Sequence, residues 1–228
     1  MATSKLLYTI MDTIHALFSR TEPVKWVFTG DSITHGALHT TGWRDYTEHF
    51  TERVRWEMGR RRDVIVKTAI SGWTMDRITE DLDWNVLQFA PDCVSINVGM
   101  NDCNAGIEGL ERFGATYLDT IERIRSGGAE VLLHTPNGIL PTTSENRVRH
   151  LPAYVETIRE IGHTTGAPVI DHYAEWTVGP PGGAMHSWLG DGCHPNEYGH
   201  RVMAHTLFRA LGIWDENSLV CRLPVYRG

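Results

Sequence analysis

Five short runs of valine, isoleucine, leucine and aromatic residues recur along the chain: Lys25 to Gly30, Asp63 to Ala69, Cys93 to Gly99, Glu130 to Thr135 and Pro168 to His172. Their apolar positions are consecutive rather than alternate, the pattern of strands covered on both faces. Between them the apolar residues recur with a helical period. Trp43 to Met58 brings Tyr46, Phe50, Val54 and Met58 to one face, and Leu110 to Ile124 does the same with Phe113, Tyr117, Ile121 and Ile124. Arg147 to Ile161 and Asn196 to Leu211 are further candidate helices. Buried strands alternating with crossover helices predict an α/β fold with a doubly wound parallel sheet.

At 228 residues the chain can bury the core of one such domain, and no internal repeat or low-complexity segment divides it. The expected organisation is a single domain, with an N-terminal amphipathic helix in 1–22, a core in 23–214 and a tail in 215–228. The Gly/Pro-rich stretch from Thr177 to Pro195 reads as a loop. Near the start, Leu6, Ile10, Ile14 and Leu17 recur at helical spacing, so Ser4 to Phe18 reads as an amphipathic helix laid over the sheet rather than an export signal. No run is long enough to cross a bilayer. As written, the chain is expected to be cytoplasmic, an assignment that a preceding leader would change.

Charge removes one class of partner. The formal net charge is −7, and the densest basic run, "RVRWEMGRRR" from Arg53 to Arg62, reads as the solvated end of a helix. No nucleic-acid partner is expected of so acidic a chain. Cys93, Cys103, Cys193 and Cys221 lack C-x-x-C spacing and read as buried free thiols.

In doubly wound sheets ligands bind beyond the carboxyl ends of the strands. Three of the runs end in polar, glycine-bearing segments there, as "TGDSITHG", "AISGW" and "NVGMNDC". Neither G-x-G-x-x-G nor a P-loop is present, which argues against a nucleotide, and Thr34 stands where the G-x-S-x-G elbow has its second glycine. What remains is Ser32 after the first strand, with Asp191 and His194 in "DGCHP" near the other end. A serine hydroxyl attacks an ester only with a base beside it and a carboxylate to orient that base. Asp191, three residues before His194, can reach its ring locally, and Pro195 reads as the first position of the following helix. Gly72 and Asn101 suit the donors that a developing oxyanion requires, as a closely approaching backbone N–H and a side-chain amide.

Ser32 in "GDSIT", Gly72 in "SGW", Asn101 in "GMND" and His194 in "DGCHP" resemble, in order and spacing, the four sequence blocks of the SGNH (GDSL-type) hydrolase superfamily, from about Trp26 to Leu211. The resemblance implies a flavodoxin-like three-layer α/β/α sandwich with a sheet of about five parallel strands. It implies Ser32 as nucleophile, His194 as base and Asp191 as its orienting acid. The N–H groups of Ser32 and Gly72 and the side chain of Asn101 would form the oxyanion hole. One position departs from the family's pattern, since Met100 stands where threonine or glutamate is common; its side chain is expected to turn to the core.

The function expected on this basis is a serine esterase working through an acyl-enzyme without cofactor or metal, on short acyl groups such as acetyl, carried by a small molecule or a carbohydrate. Lysophospholipase, thioesterase or acyltransferase action would use the same residues, and a catalytically silent ligand-binding domain is the reading of another class. Asp31, Trp73 and Trp188 are candidate substrate contacts. Asp31, like Asp102, also suits a loop-supporting role, and the two indoles suit packed lids. His35 and His39 lie in a glycine-bounded loop where helical spacing has no force. A metal held by Asp31, His35, Asp191 and His194 therefore explains less than serine chemistry does.

Overall fold

The computed structural model describes residues 14–177 and 184–225. Its centre is β1, Lys25–Gly30, flanked by β2, Val64–Lys67, and β3, Cys93–Asn97, with β4, Glu130–His134, and β5, Val169–Ile170, continuing beyond β3. All pairings are parallel, and the order β2-β1-β3-β4-β5 is that of flavodoxin-like sheets, with helices on both faces. The chain leaves β1 for one neighbour and returns to pair its other edge with β3. The ends of β1 and β3 stay paired, Gly30 beside Asn97, and such a reversal of strand order marks the crevice where folds of this kind bind ligands, beyond the carboxyl ends of the strands.

β1 and β3 are buried almost throughout because helices cover both their faces. The second run departs from the expectation of full burial: β2 is an edge strand, and Val64 keeps 46% of its surface exposed. Apolar composition alone does not distinguish an edge strand from a central one.

Aromatic packing ties the first helical segment to β1. Phe50 meets Phe28 at 5.0 Å and Trp26 at 5.3 Å between ring centroids. The helix predicted from Trp43 begins only at Tyr46, because Asp45 and Glu48 form a capping box, and from Glu52 to Glu57 it widens into π geometry. Residues 14–19 are helical; Ile14 and Leu17 are buried and Phe18 stacks on Trp26, so the described end of the N-terminal segment covers the core. Leu6 and Ile10, on which the longer helix was also predicted, lie outside the described residues.

Caps move other boundaries. Ser144 accepts from the N–H of Arg147, so the helix Glu145–Thr165 starts two residues before the apolar pattern suggests. Pro195 is not the first helical residue, since Asn196 caps Glu197–Ala210 by accepting from Tyr198 and Gly199. The stretch read as one loop from Thr177 contains a short helix, Ala184–Trp188.

Candidate active site

Ser32 is delivered by the way β1 stops. At Gly30, φ is +155°, and a side chain there would place a Cβ 2.3 Å from the Asn97 carbonyl oxygen, so only glycine lets the ends of β1 and β3 lie this close. Asp31 then caps a one-turn helix, Ser32–His35, its carboxylate accepting from the Ile33 N–H at 2.9 Å. Ser32 is its first helical residue, and among the described residues nothing accepts from its backbone N–H.

The loop from Leu189 to Pro195 is closed by a bridge between those two residues and by the Gly190 N–H donating to the His194 carbonyl at 2.9 Å. Asn137 braces it from the end of β4 by donating to the Cys193 carbonyl at 3.1 Å. Within the loop one Asp191 oxygen accepts from the N–H groups of Cys193 and His194, both at 2.8 Å, while the other lies 2.7 Å from His194 Nδ1. His194 Nε2 in turn lies 2.9 Å from Ser32 Oγ, although 162 positions separate the two residues. The arrangement is a continuous serine–imidazole–carboxylate chain.

Gly72 and Asn101 stand on the turns that follow β2 and β3. The turn after β2 is drawn to Ser32 by the Ile70 N–H on the Gly30 carbonyl, 3.1 Å, and by Ser71 Oγ on His35 Nδ1, 3.0 Å. Gly72 adopts φ +84°, is exposed, and finds no acceptor for its N–H among the described residues. Asn101 Nδ2 donates to the Trp73 carbonyl at 3.0 Å, joining this turn to the end of β3. Asp102 ties the same two segments by accepting from Met75 at 2.7 Å and Gly99 at 2.9 Å, and Met100 is buried, as expected.

A family model described as GDSL-like Lipase/Acylhydrolase family matches residues 28–202, which contain every group just described. The chain belongs to that family. As a GDSL-type protein it is a carboxylic ester hydrolase. It is 26% identical over 214 residues to an acetylxylan esterase of Geobacillus stearothermophilus, covering 82% of this chain and 94% of that protein. Among solved structures it resembles LAE5, an α/β hydrolase enzyme from the metagenome of Lake Arreo, with TM-score 0.72 at 21% identity over 88% of this chain and all (100%) of that one. The acetylxylan esterase Axe2 of G. stearothermophilus overlays with TM-score 0.67 at 20% identity, over 83% and 94% of the respective chains.

In this GDSL-type hydrolase the carboxylates divide by environment. Burial would raise Asp191, but the N–H groups of Cys193 and His194 and the imidazole outweigh it and hold the carboxyl down to about 2. Burial dominates at Asp31, lifting it to about 7 against the Ile33 N–H, and at Asp102, lifting it to about 6 against the Met75 and Gly99 amides. Asp31 is wholly buried and Trp188 is 1% exposed, packed edge-on against Trp176. Both sit inside the protein rather than on a substrate-facing wall. Trp73 is half-buried beside the crevice. A cavity of about 880 Å³ lined by Trp43, Arg53, Trp56 and Arg201 includes none of the serine, histidine and aspartate groups.

One residue that the sequence offered no reason to place at the site stands against it. His39 lies flat on His194, with ring centroids 3.5 Å apart and planes 5° from parallel, and its Nδ1 is 3.6 Å from Asp191. Leu38 and Thr41 hold positive φ, +67° and +51°, as the loop turns the ring inward. Burial, and then His194, push the His39 imidazole below its ordinary range, while Asp191 pulls the other way. His35, the other member of the spacing, instead meets Ser71.

Donor atoms of His39, Asp191 and His194 all lie within 4.8 Å of one another, close enough to suggest a cation. The arrangement does not fit one. Imidazole lone pairs lie in the ring plane, so stacked rings direct them side by side instead of toward a common point, and both His194 nitrogens are already engaged.

Proposed function

We propose that the protein hydrolyses short acyl esters, acetyl foremost, carried on a carbohydrate, with Ser32 as nucleophile. The observation that carries this is the hydrogen-bonded chain from Ser32 through His194 to Asp191, at 2.9 and 2.7 Å. His194 takes the Ser32 proton as Oγ attacks the ester carbonyl, then gives it to the leaving alkoxide. Asp191 holds the ring and balances its transient charge. The negative oxygen formed on attack faces the N–H groups of Ser32 and Gly72 and the amide of Asn101. Water, deprotonated by the same imidazole, then releases the acid and restores Ser32.

The short-acyl reading is supported by the likeness to an acetylxylan esterase across most of both chains. It is supported too by the openness of the site, where Asp191 keeps 46% of its side chain exposed and Gly72 faces solvent. An apolar acyl tunnel would favour longer chains by about 0.8 kcal/mol per buried methylene. The reading is tested with p-nitrophenyl esters from acetyl through butyryl to lauroyl, beside acetylated xylo-oligosaccharides. The expected result is a kcat/KM that falls beyond acetyl and acetate release from the oligosaccharide. A rate that climbs to lauroyl overturns it in favour of lipid substrates, and failure of Ser32 to react with a fluorophosphonate overturns the serine chemistry itself.

A further inference from the structure

Arg147 stands on the first turn of the helix Glu145–Thr165, far in sequence from all four blocks, yet its guanidinium reaches two of them. Its Nη2 donates to Asn101 Oδ1 at 3.1 Å, its Nε to the Met100 carbonyl at 3.1 Å, and its Nη1 to Cys193 Sγ at 3.5 Å, beside His194. We propose that Arg147 is the positioning residue of the oxyanion hole, fixing which face of the Asn101 amide meets the substrate. This rests on the reading of Asn101 as an oxyanion donor.

The argument is one of donors and acceptors. A guanidinium can only donate, so the amide atom facing it must be the oxygen; the Trp73 carbonyl can only accept, so the atom facing it must be the nitrogen. Between these two contacts the amide cannot flip, and the second hydrogen on Nδ2 has no acceptor among the described residues and is left for a substrate oxygen. The charged donor on Oδ1 also withdraws electron density from the amide and makes that N–H a stronger donor. Arg147 is itself held independently of the site. Asn146 donates to the Asn104 carbonyl, and Ser144 to Asn104 Oδ1, each at 3.2 Å, stitching the helix start onto the turn that follows Asn101. An alternative role would run through Cys193, bracing the His194 loop without regard to Asn101.

A double-mutant cycle separates these routes, with kcat and KM for p-nitrophenyl acetate measured on the wild type, Arg147→Met, Arg147→Lys, Asn101→Ala and the Asn101→Ala/Arg147→Met double variant. Thermal melts would compare their folding. Arg147→Met is expected to lower kcat roughly tenfold with KM little changed, short of the ~10²–10³-fold typical of deleting an oxyanion donor. Arg147→Lys should recover part of the loss, since an ammonium still donates to Oδ1. In the Asn101→Ala background the Arg147→Met change should have almost no further effect. An unaltered kcat in Arg147→Met, or an equal loss with and without Asn101, overturns the proposal. A wild-type kcat in Asn101→Ala alone overturns instead the oxyanion reading on which it rests. If Arg147→Met melts too early to assay, the lysine variant in both backgrounds supplies the same cycle, and equal losses there overturn the proposal.

Discussion

His194 and His134 each hold a serine oxygen against Nε2, at 2.9 Å from Ser32 Oγ and 2.8 Å from Ser95 Oγ. The two pairs differ in what stands behind the ring. Behind His194 is Asp191, an ionised carboxylate fixed by two backbone amides. Behind His134 is a second imidazole, His172 Nε2, at 2.9 Å from its Nδ1, and the whole group lies buried beneath Tyr46. Burial drives His134 well below its ordinary range, with His172 adding to the effect, and drives His172 down to about 3. A ring so placed resists the proton a base must take. Contact between serine and histidine is thus not enough for catalysis: the ring also needs a counter-charge, and the serine needs access and donors for the oxyanion.

The most severe break of this comparison replaces each serine in turn. Ser32→Ala is expected to lower kcat on p-nitrophenyl acetate by about 10³-fold or more, whereas Ser95→Ala should leave kcat near wild type. Its cost should appear in thermal melts as roughly 1–3 kcal/mol from the unpaired His134 nitrogen. Comparable losses of turnover in both would mean that the two pairs are not distinguished by their surroundings.

Acid should sharpen the contrast. The folded value of His172 lies below that of the unfolded chain, so below about pH 6.5 the unfolded state takes up a proton that the folded state refuses, and stability falls as the pH drops. From pH 7 to pH 5 this amounts to about 2 kcal/mol for a folded value of about 3. Asp31 and Asp102, raised by burial, work in the opposite sense over the same range. His172→Gln removes the contribution of His172 and leaves Asp31 and Asp102 in place. Urea unfolding should therefore show wild type ahead of the variant at pH 7 and the gap narrowing at pH 5; a constant gap would mean that His172 is not held neutral.

The smallest expected effect concerns His39. Stacking against His194 is worth about 0.5–1.5 kcal/mol, so His39→Ala should lower kcat by roughly two- to tenfold without abolishing turnover. Loss as deep as that of Ser32→Ala would place His39 in the proton transfer itself.

How much could be read in advance varied with the range of the interaction. Asp191 and His194 lie three positions apart in one tight loop, and Ser32 stands two residues beyond the strand that presents it, so the contact between the first two and the place of the third were legible from spacing and residue type. His39 could not be read the same way, because an irregular loop with two left-handed residues decides where its ring goes. Asp31 and Trp188 were legible as neighbours of the site but not as buried ones, since burial depends on what packs over them.

By itself the sequence determined the elements and the chemical inventory: consecutive apolar runs specify covered strands, helical periods specify the crossovers, and glycine at positions 30 and 72 permits backbone that other residues resist. Only the tertiary structure decided which groups meet. Ser32 joins His194 across 162 positions, Arg147 joins Asn101 across 46, and Ser95 joins His134 across 39 through neighbouring strands. Such pairs leave no periodic trace in the chain, because each partner is carried by a different element, and the order of strands in the sheet sets the distance between them.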